Sequence, residues 1–444
     1  MDYYILALVI LSVYWLLVLL LNSVGILARH NISTYGPILM TRTTRGQQFL
    51  DRLASPKKFW NAFADVGILV VVLSMIFMFI FLIVEDYLVL QIKPGPTAFN
   101  EPRNILLLPG INQFIPLTWG IIALIVALIV HELGHALLSR AADIKLKAAG
   151  LVVVVLPVGA FAEPDESQLL GEEAKDNGKM ATRRDRLRID TAGIMGNFVV
   201  ALICLALFFG PVLSAIAPMP GLGVVGVVSG SPADKAGIRP GMTILQIDNT
   251  IIASNDQFHA FMNTTHPKQV VLVKAAKKGT TFEFTVALGK NPNFNQGFLG
   301  ITGGSEETLN FLKQIPHTLN TIGGWVALLG LALVIFNGFT GDVTNLYQPI
   351  GWASHLGPGI FWIANTLLWV GWLNFYVGIF NSLPTVPLDG GHVFKHIFES
   401  ILERLLKNIK LQALVTRAVT DILGVLILAS FILLIVGPRI FGVI

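Results

Sequence analysis

Two histidines and a glutamate stand together at His131-Glu132-Leu133-Gly134-His135, within an otherwise apolar run. His131 and His135 are four apart, so on a helix both imidazoles leave one face and can hold one metal ion. Glu132 lies one step round, close enough to take a proton from a water on that ion. This is the H-E-x-x-H spacing of zinc hydrolases. Catalytic zinc takes three protein ligands and keeps one position for water. A candidate third ligand stands in Asn381-Ser382-Leu383-Pro384-Thr385-Val386-Pro387-Leu388-Asp389-Gly390-Gly391, where an acid follows an apolar segment and two helix-breaking prolines. Asp389 is the natural ligand; its alternative role is a helix N-cap. Asn381 is a candidate donor to a substrate backbone or to the reacting oxyanion. Asn197 is a candidate partner of the active site or, equally, of a neighbouring helix. His392 and His396 are read as structural or interfacial. One zinc ion per chain is expected.

The elements that carry these residues belong to a membrane. The composition is 54% hydrophobic and 13% charged, that of a polytopic membrane protein. Apolar segments at 3–27, 66–84, 116–138, 191–214, 358–383 and 422–436 are read as six full spans. The first is read as an uncleaved helix rather than a signal peptide. Ionisable groups inside a span are costly and mark function. Basic residues concentrate at 29–65, 164–188 and 392–417, which assigns these stretches to the cytoplasmic side. The stretch at 36–55 is a candidate for lipid headgroup contact. Residues 151–161 are too short for a helical span and read as an extended or re-entrant strand, either pairing with substrate or merely covering the bundle. Residues 321–338 are apolar, yet a full crossing there would carry Asp389 across the bilayer from the histidines. They are therefore read as re-entrant or surface-lying. From 218 to about 289 the pattern changes to that of a small soluble α/β domain. Cys204 is the only cysteine, which excludes an intrachain disulfide or a cysteine metal cluster. The net charge of +4 is modest, and no basic cluster or aromatic platform points to nucleic acid.

Taken together, His131-Glu132-Leu133-Gly134-His135, Gly193-Ile194-Met195-Gly196-Asn197 and the Asn381 to Gly391 stretch resemble the site-2 protease family of intramembrane zinc metalloproteases, peptidase M50. The resemblance covers roughly 118–394; Ile194 departs from the proline the family often has there. It implies zinc held by His131, His135 and Asp389, with Glu132 as general base. The implied activity is cleavage of transmembrane or membrane-proximal segments of substrate proteins, in regulated intramembrane proteolysis. Gly221-Leu222-Gly223-Val224 with Ser231-Pro232-Ala233-Asp234 through Met242 is similar to a PDZ domain of the protease-associated type. That similarity implies a carboxylate-binding loop at Leu222, Gly223 and Val224. It also implies a peptide groove between 224–228 and a helix near 255–263, taking a peptide C-terminus. A size filter without peptide affinity is the alternative.

The expected organisation is a two-span region at 1–115 and a protease core at 116–217 and 358–396. The PDZ domain at 218–289, a linker with the short apolar segment at 290–357, and a C-terminal basic loop and span at 397–444 complete it. The PDZ domain is expected on the non-cytoplasmic side and the active site towards the cytoplasmic side. Two rival functions are a membrane metal-ion transporter and a catalytically silent PDZ scaffold. Neither explains Glu132 within an intact ligand set.

Overall fold

The computed structural model describes residues 3–41, 47–105, 107–154, 156–170, 180–291, 295–302, 304–331 and 336–441. Five helices are long and apolar enough to cross a membrane: Lys57–Ile92, Leu117–Ala141, Arg183–Val212, Gly359–Asn381 and Ile409–Phe441. The expected first span is a helix at Tyr3–Ser23, of which Val9–Ser23 forms a shorter apolar stretch. The central part of the expected basic stretch 164–188 falls at 171–179, outside the described residues.

The chain divides into two compact units. The first takes Met1–Gln113, Gly120–Leu202 and Leu373–Ile444. Its longest helix, Lys57–Ile92, buries Ala64, Gly67, Val71, Met75, Met78, Leu82 and Val89. From Ala64 to Leu82 these recur every three to four residues, with Val89 two turns further on, the stripe of a helix with one packed face. The helix carrying the metal motif, Leu117–Ala141, buries small residues at Gly120, Ala123 and Ala127. Small residues let backbones approach closely where lipid offers no hydrophobic drive to association. Asp65 of the long helix pairs with Arg188 (2.8 Å) and Arg184 (2.9 Å) of the helix Arg183–Leu207.

The same unit holds an antiparallel sheet of four strands in the order β1 (Ile32–Tyr35), β2 (Ile38–Thr41), β3 (Leu146–Val154) and β4 (Leu156–Pro164). The expected single strand at 151–161 is thus divided between two antiparallel strands, β3 and β4. The stretch expected at the headgroups contributes β2 and then the short helix Gln47–Ala54, which exposes Phe49 and Leu53. Among the described residues, β4 pairs on one side only.

The second unit comprises Phe114–Trp119 and Ile203–Trp372. Within it the inserted domain has its own core, built on Leu222, Val224, Ile244, Val273, Val286 and Leu299 among others. Its main sheet runs Thr280–Ala287, Val270–Lys277, Thr243–Ile247 and Leu222–Gly223, all neighbours antiparallel. The domain does not end at 289. Leu299 belongs to its core, and Ile301–Thr302 pairs with Gly226–Val227. The expected boundary therefore moves to about 302.

The short apolar segment forms a nine-residue helix, Ile322–Gly330, capped by Thr321 Oγ1 accepting from the Gly324 N–H at 3.1 Å. At 1.5 Å per residue it reaches about 14 Å, half a hydrocarbon core. Residues 332–335 lie outside the described residues. Asn365 both accepts from the Phe339 N–H (2.7 Å) and donates to its carbonyl (2.9 Å), fixing the chain that follows.

Candidate active site

The first unit assembles the site from three of its helices. His131 and His135 project from one face of Leu117–Ala141, as the four-residue spacing requires. Asp389 opens the helix Asp389–Leu405, with Leu388 as the N-cap residue. The carboxylate is therefore free of the capping role and faces the imidazoles. The turn before it is compact: a Cβ on Gly390 would strike the Ser382 carbonyl, and one on Gly391 the backbone of Thr385. Only glycine fits such an approach of backbone to backbone.

His131 Nε2 and His135 Nε2 are 3.1 Å apart. Asp389 Oδ2 lies 3.0 Å from the first and 3.3 Å from the second. Three ligands at tetrahedral angles and bonds of about 2 Å would be separated by about 3.3 Å. Asp389 Oδ2 is buried and, despite these distances, makes no hydrogen bond of good geometry. Lone pairs therefore converge on one point, the condition a divalent cation relieves. These three residues form the group among the described residues that could hold a metal ion.

The neighbours of the triad orient it. His135 Nδ1 stands 2.8 Å from the Ile189 carbonyl, which can only accept, so the ring proton sits there and Nε2 faces the triad. Asn197 is fully buried, with Nδ2 3.4 Å from His131 Nδ1. The structure brings it beside His131. Gly193 has no side chain for a reason: a Cβ there would lie 2.5 Å from His135 Nε2 and 2.8 Å from His131 Cε1. Gly134 is its counterpart, where a Cβ would lie 2.5 Å from the Ala192 carbonyl.

Glu132 is held from the sheet. Its Oε2 accepts a 2.6 Å hydrogen bond from the Ala162 N–H of β4. Since β3 pairs on the other side, this bond leaves from the open edge of β4. The Glu132 carboxylate and the open edge of β4 thus adjoin.

Asn381 ends the helix Gly359–Asn381; among the described residues it forms no hydrogen bond to His131, His135 or Asp389. Below the triad, His396 Nε2 faces Asp190 at 3.5 Å and its Nδ1 faces Glu399 at 3.8 Å. Burial, reinforced by Arg186, Lys395, His392 and Arg183, pushes the His396 ring down to about 4. The ring that faces Asp190 is therefore neutral. The backbone groups of Ala162 and Ile189 were invisible to sequence reasoning, whereas Gly193 stood in the quoted motif without a role.

The expected peptide loop requires correction. Leu222, Gly223 and Val224 are buried, the first two as a strand of the sheet and Val224 through its N–H to the Met242 carbonyl. The open cleft of the domain, about 580 Å³, lies instead between Phe258, His259 and Met262 on one wall and Gln296, Phe298 and Ile301 on the other. The helix Asn255–Asn263 supplies the first wall, and Leu222 to Val224 do not line this cleft.

This arrangement is that of a metallohydrolase centre of the H-E-x-x-H class, its histidines carried on a helix long and apolar enough to cross a membrane. The chain belongs to peptidase family M50, which it matches over residues 119–426. It is 27% identical over 377 residues to an uncharacterized protein of Methanocaldococcus jannaschii, covering 84% of this chain and 81% of that one. It is 26% identical over 377 residues to the metalloprotease MmpA of Caulobacter vibrioides, covering 69% and 92% respectively. Among solved structures it is similar to the PDZ domain of an SdrC-like protein from Listeria monocytogenes. That likeness covers 21% of this chain and 96% of that one, at 18% identity and a TM-score of 0.19.

Proposed function

We propose that this chain is an intramembrane zinc endopeptidase that cuts transmembrane or membrane-proximal segments of other proteins, as the second cut of regulated intramembrane proteolysis. The observation that carries the reading is the convergence of His131, His135 and Asp389 on one point, with Glu132 beside them on the same helix. Zinc, one per chain, supplies when bound a Lewis acid and a water of pKa near about 7. Glu132 takes the water's proton and returns it to the leaving nitrogen. Its hydrogen bond from Ala162 fixes where that proton is held. A substrate helix must unwind first, because its carbonyls are already hydrogen-bonded. The open edge of β4 offers backbone groups to the unwound segment. Asn381 is assigned to the substrate backbone or the oxyanion. The cleft between Phe258 and Phe298 is assigned to a substrate C-terminus, with the inserted domain on the non-cytoplasmic side. The four arginines from Arg183 to Arg188 support a cytoplasmic location for the nearby active site.

The test is Glu132→Gln, assayed with a model transmembrane peptide in proteoliposomes. Zinc content should stay at one per chain while cleavage disappears. Cleavage at the wild-type rate would overturn the assignment. Zinc flux without any proteolysis by the native chain would favour a transporter instead.

A further inference from the structure

We propose that Asn197 sets the tautomer of His131, holding the ring proton on Nδ1 so that Nε2 offers its lone pair to the metal. The inference rests on the metal reading of the triad. The two histidines differ in how their outer nitrogens are supported. His135 Nδ1 has the Ile189 carbonyl, which dictates its proton. His131 Nδ1 has the Asn197 amide at 3.4 Å. With Nδ2 towards the ring, Asn197 would donate to Nδ1 and force the proton onto Nε2. That proton would point at His135 Nε2 and Asp389 Oδ2, where the cation belongs. In the same orientation Asn197 Oδ1 is buried without a hydrogen-bond partner. A half-turn of the amide exchanges two groups of nearly identical shape, pairs Oδ1 with His131 and carries Nδ2 to the place Oδ1 had. Oδ1 then accepts from His131 Nδ1–H, and Nε2 is freed. The bond should shorten from 3.4 Å towards 2.9 Å, the usual N–H···O length. Asn197 is fully buried, so water is a poor substitute for it. It is a positioning residue that acts through His131.

The experiment measures zinc affinity of the detergent-solubilised full chain by chelator competition, with visible spectra of the cobalt form. Thermal unfolding of each metal-free variant runs alongside. Asn197→Leu keeps the branched outline of the side chain, though bulkier, and removes the acceptor; its affinity should fall 10- to 100-fold, the usual effect of losing a partner that orients a metal ligand. Asn197→Asp keeps the acceptor and should bind zinc as tightly as wild type or tighter, with an unchanged cobalt spectrum. Equal losses in both variants, or wild-type affinity in Asn197→Leu, would overturn the proposal. If Asn197→Leu does not fold, Asn197→Asp decides alone, and a tenfold loss there counts against it. A native chain that binds neither metal would overturn the metal reading itself, an outcome separable from the others.

Discussion

Replacing Gly193 with alanine adds one methyl group between the rings of His131 and His135. That Cβ would lie 2.5 Å from His135 Nε2, 2.8 Å from His131 Cε1 and 2.9 Å from His131 Nδ1. Ordinary contact begins at 3.4 Å, so the rings or the helix must yield by about 0.5 to 0.9 Å. Metal–ligand distances hold to about 0.2 Å, so the demanded shift exceeds what coordination tolerates. Retreat of the motif helix is opposed by the tie of His135 to Ile189, at 2.8 Å. Zinc affinity should therefore fall by about 100-fold or more, about 2.8 kcal/mol. Chelator competition reads the affinity, and thermal unfolding of the metal-free form reads packing. Gly196→Ala is the control: its Cβ would meet Val130 at 3.3 Å, a deficit of about a tenth of an ångström. It should keep zinc within a few-fold of wild type. Undiminished affinity in Gly193→Ala would refute the reasoning, and equal losses in both would assign the effect to general helix packing.

Ala162→Pro removes the N–H that holds Glu132 but leaves the β3 pairing intact, since that N–H leaves from the open edge. Cleavage should drop about 10- to 100-fold with zinc retained; an unchanged kcat would show that the bond does not orient the base. His396 tests pH dependence. Its ring is held down to about 4, against about 6.5 in an unfolded chain, so below pH 6.5 the unfolded chain gains the proton first. Stability should be full above pH 6.5 and fall by about 2 kcal/mol between pH 7 and pH 5 from this ring alone. His396→Gln should flatten that part of the thermal-unfolding profile, and parallel slopes in both proteins would contradict the account.

The metal centre was legible because its chemistry fixes residue types and spacing. His131, Glu132 and His135 declare themselves through one helical turn, and Asp389 through the demand for a third ligand. The sheet was less legible. β2 meets β3 across more than a hundred residues, in a stretch whose arginines suggested only a surface. The end of the inserted domain was misjudged because its closing strands, Gly297–Phe298 and Ile301–Thr302, are too short to show any alternation. Leu222 to Val224 were misassigned because a glycine-containing stretch looks alike whether it cradles a carboxylate or lies buried in a sheet. The count of spans depends on length and composition at the N-terminal helix, where the apolar stretch Val9–Ser23 is the shortest.

The contact at Gly134 has a consequence for how this chemistry can be inherited. In H-E-x-x-H the two middle letters are free as far as zinc is concerned. Here the fourth letter is answerable to a different helix, because the Ala192 carbonyl occupies the space any side chain would need. The motif is therefore not a portable cassette. Grafted onto another helix it would keep its ligands and lose the wall that aligns them. Position 134 answers to the backbone at 192 and 193, whatever side chains those positions carry. It sets how closely the two helices must approach before the motif can work at all.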